Sequence, residues 1–271
     1  MHPARRLPAA LVTASAVLGL TTLFPGVASA QEDRAAAPGG YVALGDSYSS
    51  GVGAGDYDEA SGDCLRSHAS YPELWAAANS PADFDFLACS GAVTTDVLDE
   101  QLGALDADTA LVSISIGGND AGFADAMQTC VLQGTTACLA AIDEATAYIR
   151  GTLPGRLDAV YDAIAAAAPN AEVVVLGYPH MYQLGGGCLL GIAEESRAAI
   201  NGASDVLNEV ISERAAGHGF AYGDVRPAFS GHEICSSDEW LHSVTLPVEE
   251  SYHPTAEGHS GGYYPVLEQL A

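Results

Sequence analysis

A serine and a histidine at opposite ends of the chain are the residues best suited to chemistry. Ser47 lies in the Gly-Asp-Ser turn that follows an apolar segment, and His253 precedes a proline near the C-terminus. A serine hydroxyl becomes a good nucleophile when a base takes its proton, and histidine is the most common base. The pair therefore predicts acyl transfer through a covalent intermediate on Ser47, with His253 as the base.

Two further positions are suited to stabilising the oxyanion of such a reaction. Gly91 follows a short apolar segment, and Asn119 follows the glycine pair at 117–118. A glycine lets a backbone N–H approach a reacting centre closely, and an asparagine amide aimed into a cleft is an effective oxyanion donor. Each residue alone is also typical of an ordinary turn. Residue type alone therefore leaves both interpretations open at Gly91 and at Asn119, an oxyanion donor and a turn residue.

Short apolar segments that predict strands alternate along the chain with segments that predict helices. The predicted strands are Tyr41–Leu44, Phe84–Leu87, Ala110–Ile116, Glu172–Leu176 and Phe220–Tyr222. The predicted helices are Tyr71–Asn79, Leu139–Ala168 (broken near Pro154), Glu194–Ala216 and Ala256–Leu270. This alternation predicts an α/β fold whose parallel sheet is covered on both faces. Such sheets bind ligands at the carboxyl ends of their strands, which is where the candidate residues fall.

Composition and charge limit the classes of partner. The chain has 271 residues, and 48% of them are hydrophobic, enough for one large domain with a substantial core. Its formal net charge is −26, and all of its basic residues are arginines. Such a charge repels nucleic acid and anionic membranes at a distance, so neither is expected as a partner. The surplus favours high solubility, and adaptation to high salt is an alternative explanation.

The N-terminus has the pattern of an export signal. Two arginines precede an apolar stretch, and the triplet Ala-Ser-Ala at 28–30 is typical of a cleavage site. These features predict a signal peptide at 1–30 and a secreted, extracellular protein with no stable membrane anchor. Residues 31–40, rich in Ala, Gly and Pro, predict a flexible leader. Residues 41–271 then form a single domain.

Six cysteines in an exported chain predict disulfides rather than a metal site. No two of them form a C-x-x-C pair, which makes zinc a poor fit, and no regular metal-ligand spacing is present. The sequence alone leaves the pairing open, although two of the six are close enough in the chain for a local bridge. The cysteines are Cys64, Cys89, Cys130, Cys138, Cys188 and Cys235.

Four sequence blocks occur in a fixed order: Gly-Asp-Ser, a glycine after the second strand, Gly-Gly-Asn-Asp, and a C-terminal His-Pro. This order resembles the SGNH hydrolases, also called the GDSL lipase/esterase family. The likeness covers nearly all of the chain after the signal. It extends in particular to the secreted actinobacterial lipases and esterases with three disulfides. The resemblance implies a three-layer α/β/α sandwich with a five-stranded parallel flavodoxin-like sheet.

The resemblance also implies a role for each candidate residue. Ser47 would be the nucleophile, and His253 the general base and then the general acid. The Ser47 N–H, the Gly91 N–H and the Asn119 side-chain amide would form the oxyanion hole, with no metal or organic cofactor. The disulfides implied by this branch are Cys64–Cys89, Cys130–Cys138 and Cys188–Cys235.

One position departs from the family pattern. The family usually has Asp three residues before the histidine, and here that position is Glu250. Its longer carboxylate is one candidate for orienting His253. A main-chain carbonyl, from Glu250 or Ser251, is the other.

The expected function is hydrolysis of carboxylic esters of lipids by a lipase, esterase or phospholipase. A carbohydrate esterase that removes acetyl groups is the alternative, and a binding protein that has lost catalysis is a third, less favoured hypothesis. A deep apolar groove would favour fatty acyl chains, and a small polar cleft would favour acetyl sugars. The expected partner is a lipid or other ester substrate, and nothing in the sequence demands more than a monomer.

Overall fold

A parallel sheet of five strands organises the fold. The computed structural model describes residues 39–188 and 191–271, so the predicted signal peptide lies outside the described residues, as does the leader up to residue 38. The strands are β1 (Gly40–Gly45), β2 (Phe84–Phe86), β3 (Thr109–Ser115), β4 (Glu172–Leu176) and β5 (Ala221–Gly223). Their order is β2-β1-β3-β4-β5, and every neighbouring pair is parallel. The predicted flavodoxin-like order is confirmed.

Helices flank the sheet in an α/β/α sandwich. They are α1 (Ser47–Ser50), α2 (Tyr71–Asn79), α3 (Thr94–Asp96), α4 (Phe123–Leu132), α5 (Gly134–Gly151), α6 (Leu153–Ala167), α7 (Glu194–Gly217), α8 (Arg226–Phe229) and α9 (Tyr264–Leu270). Short 3₁₀-helices cover Glu59–Cys64, Leu102–Ala104 and Val248–Glu250, and π-helical segments cover Val97–Gln101 and Gly258–Tyr263. Helices α5, α6 and α7 pack together, and α2 packs against α9.

Several predicted boundaries moved. Helix α2 has the predicted bounds, whereas the predicted helix Leu139–Ala168 is two helices, α5 and α6. Pro154 stands in the first turn of α6, where its missing N–H costs nothing and its fixed φ favours a helix start. The last predicted helix opens with a π-helical segment, Gly258–Tyr263, before α9.

Strands β1 and β3 form the buried centre of the sheet. Their apolar side chains, such as Leu44 and Ile114, are fully buried because helices cover both faces. Two fully buried serines interrupt the apolar part of β3: Ser113 bonds the hydroxyl of Tyr41 at 2.7 Å, and Ser115 bonds residues of the turn after β1. From β1 the chain adds β2 on one side, and then adds β3, β4 and β5 on the other side. The boundary between β1 and β3 is therefore the topological switch point, where ligands bind in such folds.

Three disulfides join Cys64 to Cys89, Cys130 to Cys138, and Cys188 to Cys235. This is the pairing that the family resemblance implied. The second disulfide ties the end of α4 to the start of α5. Within residues 39–188 and 191–271, no helix is long and apolar enough to cross a membrane.

Candidate active site

Ser47 begins helix α1 directly after the central strand β1. Asp46 caps this helix by accepting a hydrogen bond from the backbone N–H of Tyr48 at 3.0 Å. The Ser47 side chain is largely buried, and its Oγ lies 2.8 Å from Nε2 of His253. Residues 206 positions apart in the chain are therefore in hydrogen-bond contact, in the arrangement that lets an imidazole take the hydroxyl proton.

The other nitrogen of His253 faces a main-chain carbonyl. Nδ1 lies 3.0 Å from the carbonyl oxygen of Ser251, which can only accept, so the proton is assigned to Nδ1 and Nε2 is the acceptor for Ser47. Burial lowers the pKa of His253 to about 4, outweighing the opposite effect of the Ser251 and Glu249 carbonyls. The imidazole is thus neutral and able to act as a base at neutral pH.

The carboxylate of Glu250 is hydrogen-bonded to a tyrosine. Its Oε1 accepts a hydrogen bond from the hydroxyl of Tyr57 at 2.9 Å, and the same hydroxyl accepts from the N–H of Gly53 at 2.9 Å. Of the two candidates for orienting His253, the structure places the main-chain carbonyl of Ser251 at the ring. The longer Glu250 side chain instead joins the turn Val248–Glu250 to the loop after α1.

The segment that carries His253 is held from several sides. The hydroxyl of Tyr48 donates to the carbonyl of Tyr252 at 2.6 Å. Tyr252 has a φ of +66°, a conformation that a bulky residue keeps only when its surroundings impose it. The backbone N–H of His242 donates to the carbonyl of His253 at 2.9 Å. These contacts fix the direction in which the imidazole points.

Asp46 is a buried carboxyl group with three donors. It accepts from the backbone of Tyr48, from the hydroxyl of Ser115 at 2.8 Å and from the hydroxyl of Tyr178. Burial raises its pKa to about 6, although these donors partly offset that effect. The residue ties the turn after β1 to the ends of β3 and β4. Its role is therefore in shaping the turn.

Gly91 and Asn119 line the same cavity as Ser47 and His253. Gly91 has a φ of +78°, which favours glycine at this position. The Asn119 amide donates to the carbonyl of Ala92 at 3.0 Å, and an amide has a second N–H to offer. The neighbouring Asp120 accepts from both the backbone and the hydroxyl of Thr94, which joins the two loops.

A cavity of about 640 Å³ includes Ser47 and His253 in its lining. Its volume falls within the range of about 300–1,000 Å³ that is usual for small-molecule sites. Its lining is mostly apolar, and most of the apolar residues come from helices α4, α5 and α7. Those on the three helices include Phe123, Met127, Ile142, Ile149, Ile200 and Leu207.

Comparison with known proteins identifies the family of this chain. The sequence matches the GDSL-like Lipase/Acylhydrolase family over residues 43–260. The chain belongs to this family. As a GDSL-like acylhydrolase, it is a carboxylic ester hydrolase.

Streptomyces proteins are similar to this GDSL-like acylhydrolase over nearly its whole length. Lipase 1 of Streptomyces coelicolor is 61% identical over 258 residues, which cover 95% of this chain and 96% of that protein. The crystal structure of phospholipase A1 from Streptomyces albidoflavus NA297 has 64% identity and a TM-score of 0.85, covering 87% of this chain and all of that one. An extracellular lipase from Streptomyces rimosus has 63% identity and a TM-score of 0.84, covering 86% of this chain and all of that one.

Sequence reasoning missed several residues of the GDSL-like site. The contacts of Tyr48 with Tyr252, and of Tyr57 with Glu250, join residues about 200 positions apart, and no spacing rule connects them. One signal was present for the Asp46 network. Serines at alternate positions of an otherwise apolar strand, Ser113 and Ser115, indicate polar groups facing a buried partner.

Proposed function

We propose that Ser47 is the nucleophile and His253 the general base in the hydrolysis of carboxylic esters of lipids. The Ser47 N–H, the Gly91 N–H and the Asn119 amide supply the oxyanion hole. The observation that carries the proposal is the 2.8 Å contact between Ser47 Oγ and His253 Nε2, at one end of a mostly apolar cavity. Glu250 is not assigned a catalytic role, since its carboxylate bonds Tyr57.

The reaction follows from the protonation states in the site. As Ser47 Oγ attacks the acyl carbonyl, Nε2 of His253 takes its proton, and the carbonyl of Ser251 stabilises the imidazolium through Nδ1. The imidazolium then protonates the leaving alcohol, and the acyl group remains on Ser47. A water molecule, deprotonated by the same nitrogen, attacks the acyl-enzyme and releases the acid.

The cavity favours acyl chains over acetylated sugars. An acetyl group needs little space and a sugar needs polar partners, whereas this cavity has a volume of about 640 Å³ and a mostly apolar lining. Phospholipid is a specific candidate, because the structure of the Streptomyces albidoflavus relative is described as a phospholipase A1. Triacylglycerol and simpler esters are the other members of the same class.

Export is part of the proposal. The signal pattern at 1–30 supports it, as do three disulfides and the extracellular description of the Streptomyces rimosus lipase. A mature chain that starts after Ala30 and works as a monomer, without cofactor, stays a prediction. The N-terminal sequence of the protein in culture medium would test the cleavage site.

Turnover of p-nitrophenyl esters from acetyl to palmitoyl tests the main proposal. We expect medium or long acyl chains to be preferred, and Ser47→Ala to lower kcat/KM by at least about 10⁴-fold. Asn119→Ala should lower it by about 10²–10³-fold, as the loss of one oxyanion donor does elsewhere. A folded Ser47→Ala variant that retains the activity would refute Ser47 as the nucleophile, and a maximum at acetyl would refute the lipid substrate.

A further inference from the structure

Large apolar side chains that remain exposed are concentrated beside the cavity. Five of them lie on two segments that border it, and the sixth, Leu184, lies elsewhere. Scattered exposed apolar residues need no explanation, whereas a contiguous apolar patch marks an interaction site. Among the described residues, the six are Val131, Leu132, Leu184, Val244, Leu246 and Val248.

The two segments are the C-terminal end of α4 and the loop 244–248, which precedes His253. Four of their residues line the cavity that holds Ser47 and His253; the fifth, Leu246, is 87% exposed and does not line it. An acyl chain that moves from a lipid layer into the cavity would therefore contact the exposed apolar side chains of these segments first and the apolar cavity lining next. We call the five residues the apolar rim: Val131, Leu132, Val244, Leu246 and Val248.

Charged residues near the apolar rim indicate which kind of lipid surface it can bind. The exposed carboxylates of Asp125 and Glu249 line the cavity beside the rim, whereas none of the arginines that the structure describes does so. The chain as a whole carries a net charge of −26. An anionic lipid surface would therefore meet like charges at close range, whereas neutral or zwitterionic headgroups have no net charge to be repelled.

We infer that the apolar rim docks the enzyme on the surface of a neutral or zwitterionic lipid aggregate, with the cavity mouth toward the acyl chains. The inference rests on the proposed function, because a dissolved substrate needs no such surface. Docking by exposed side chains buries apolar area without a membrane-spanning helix, so binding is reversible. The rim then has a role that is separate from the chemistry at Ser47.

Vesicle binding tests the docking surface without any turnover. Flotation with ether-linked phosphatidylcholine vesicles, which an ester hydrolase cannot cleave, measures the partition coefficient of the oxidised protein. We expect Leu132→Ser/Leu246→Ser to lower it at least about tenfold, since two large apolar side chains are lost from the contact. The matched control is Leu184→Ser, which removes an exposed leucine away from the rim and should change it less than about twofold.

Varying the headgroup charge of the vesicles provides a second test of the docking surface. Ether-linked phosphatidylglycerol vesicles at low salt should bind the wild-type protein at least about fivefold more weakly than phosphatidylcholine vesicles, because the headgroups are anionic. Binding that is as strong or stronger on phosphatidylglycerol overturns the charge argument. Equal loss in Leu184→Ser and in the rim variant overturns the assignment of the surface.

Activity separates this inference from the proposed function. Leu246→Ser should leave the hydrolysis of dissolved p-nitrophenyl butyrate within about twofold of wild type, because Leu246 does not line the cavity. Its turnover of the same ester class presented in phosphatidylcholine vesicles should fall several-fold. If wild type fails on the dissolved ester, the proposed function fails. If wild type succeeds there but Leu246→Ser matches it on vesicles and in flotation, only the rim inference fails.

Discussion

The neutral imidazole of His253 has a direct consequence for the pH profile. Its pKa is lowered to about 4 by burial, so the base keeps its free Nε2 until the pH falls well below the ordinary histidine value of 6.5. We expect the acid limb of kcat/KM on a dissolved ester to have an apparent pKa near 4 to 5, because kcat/KM reports the free enzyme. Initial rates between pH 3.5 and 8 would measure it.

Folding must be followed over the same pH range. His253 and His259 are both buried with lowered pKa values, about 4 and about 3, so at these two positions the unfolded chain binds more protons than the folded one below about pH 6.5. Their contribution to stability is lost as the pH falls from about 6.5 toward 3. Circular dichroism at each pH would restrict the rate data to folded protein. An acid limb near 6.5 in folded protein would contradict the assigned environment of His253.

Substitution of Glu250 tests whether its carboxylate belongs to a catalytic triad or only holds a loop through Tyr57. Glu250→Gln keeps an oxygen that accepts from Tyr57 but removes the charge, so we expect kcat/KM to stay within about threefold of wild type, as for other surface changes that keep a contact. Tyr57→Phe is the matched variant, because it removes the hydrogen bond and leaves the carboxylate. Steady-state kinetics on one soluble ester would compare the two. A loss of 10²-fold or more in Glu250→Gln alone would return the carboxylate to the triad.

The sequence predicted Ser47 and His253 as a pair because motif blocks mark both residues, and the structure places Ser47 Oγ 2.8 Å from His253 Nε2, while their catalytic roles stay a prediction. The sequence was not sufficient for the orienting group. A main-chain carbonyl such as that of Ser251 has no signature in residue type, so only the backbone path before His253 reveals it. The same limit applies to Tyr48, whose hydroxyl acts on the carbonyl of a residue 204 positions away.

At the scale of elements, the Cys130–Cys138 disulfide closes one wall of the cavity. It joins α4 to α5, and both helices supply apolar lining. We expect Cys130→Ala/Cys138→Ala to lower the free energy of unfolding by about 2–3 kcal/mol, as loop-closure entropy gives for a short loop. Because the wall loosens, turnover of long acyl chains should fall more than that of butyryl esters. Denaturation and a chain-length series would measure the two effects.

The Cys188–Cys235 disulfide provides the control for that selectivity. It joins loops outside the cavity lining, so Cys188→Ala/Cys235→Ala should cost stability without changing the preference among acyl chains. An identical shift in chain-length preference in both double variants would show that general loosening, not the wall between α4 and α5, determines selectivity.

Element types were predictable where the pattern is strong, and boundaries were not. The four apolar residues Tyr41–Leu44 identified β1, and the bounds of α2 fell at their predicted places. The split between α5 and α6, the early start of α5 at Gly134 and the one-residue shift of β5 depend on tertiary packing. The cavity was beyond prediction, since it lies between α4, α5 and α7, whose packing the sequence does not state.

Charge acts at the scale of the whole molecule. With 35 acidic residues against nine arginines, repulsion between carboxylates outweighs the exposed ion pairs, which individually contribute little. Salt screens the repulsion and the ion pairs alike, so weakening the stronger repulsion determines the net change in stability. We therefore expect the Tm at pH 7 to rise between about 10 mM and about 0.5 M NaCl. For a domain of this size, each kcal/mol added to the free energy of unfolding raises the Tm by about 2–4 °C.

The response should depend on the carboxylates being ionised. Near pH 4.2, the isoelectric point, the net charge is close to zero, so the same salt series should change the Tm much less. Scanning calorimetry at both pH values would separate screening from general salt effects, which would act at either pH. A Tm and an activity that fell steadily at pH 7 from low to molar salt would exclude both a net destabilisation by carboxylate repulsion and adaptation to high salt. A Tm that kept rising to molar NaCl would instead favour that adaptation over solubility as the explanation of the acidic surface.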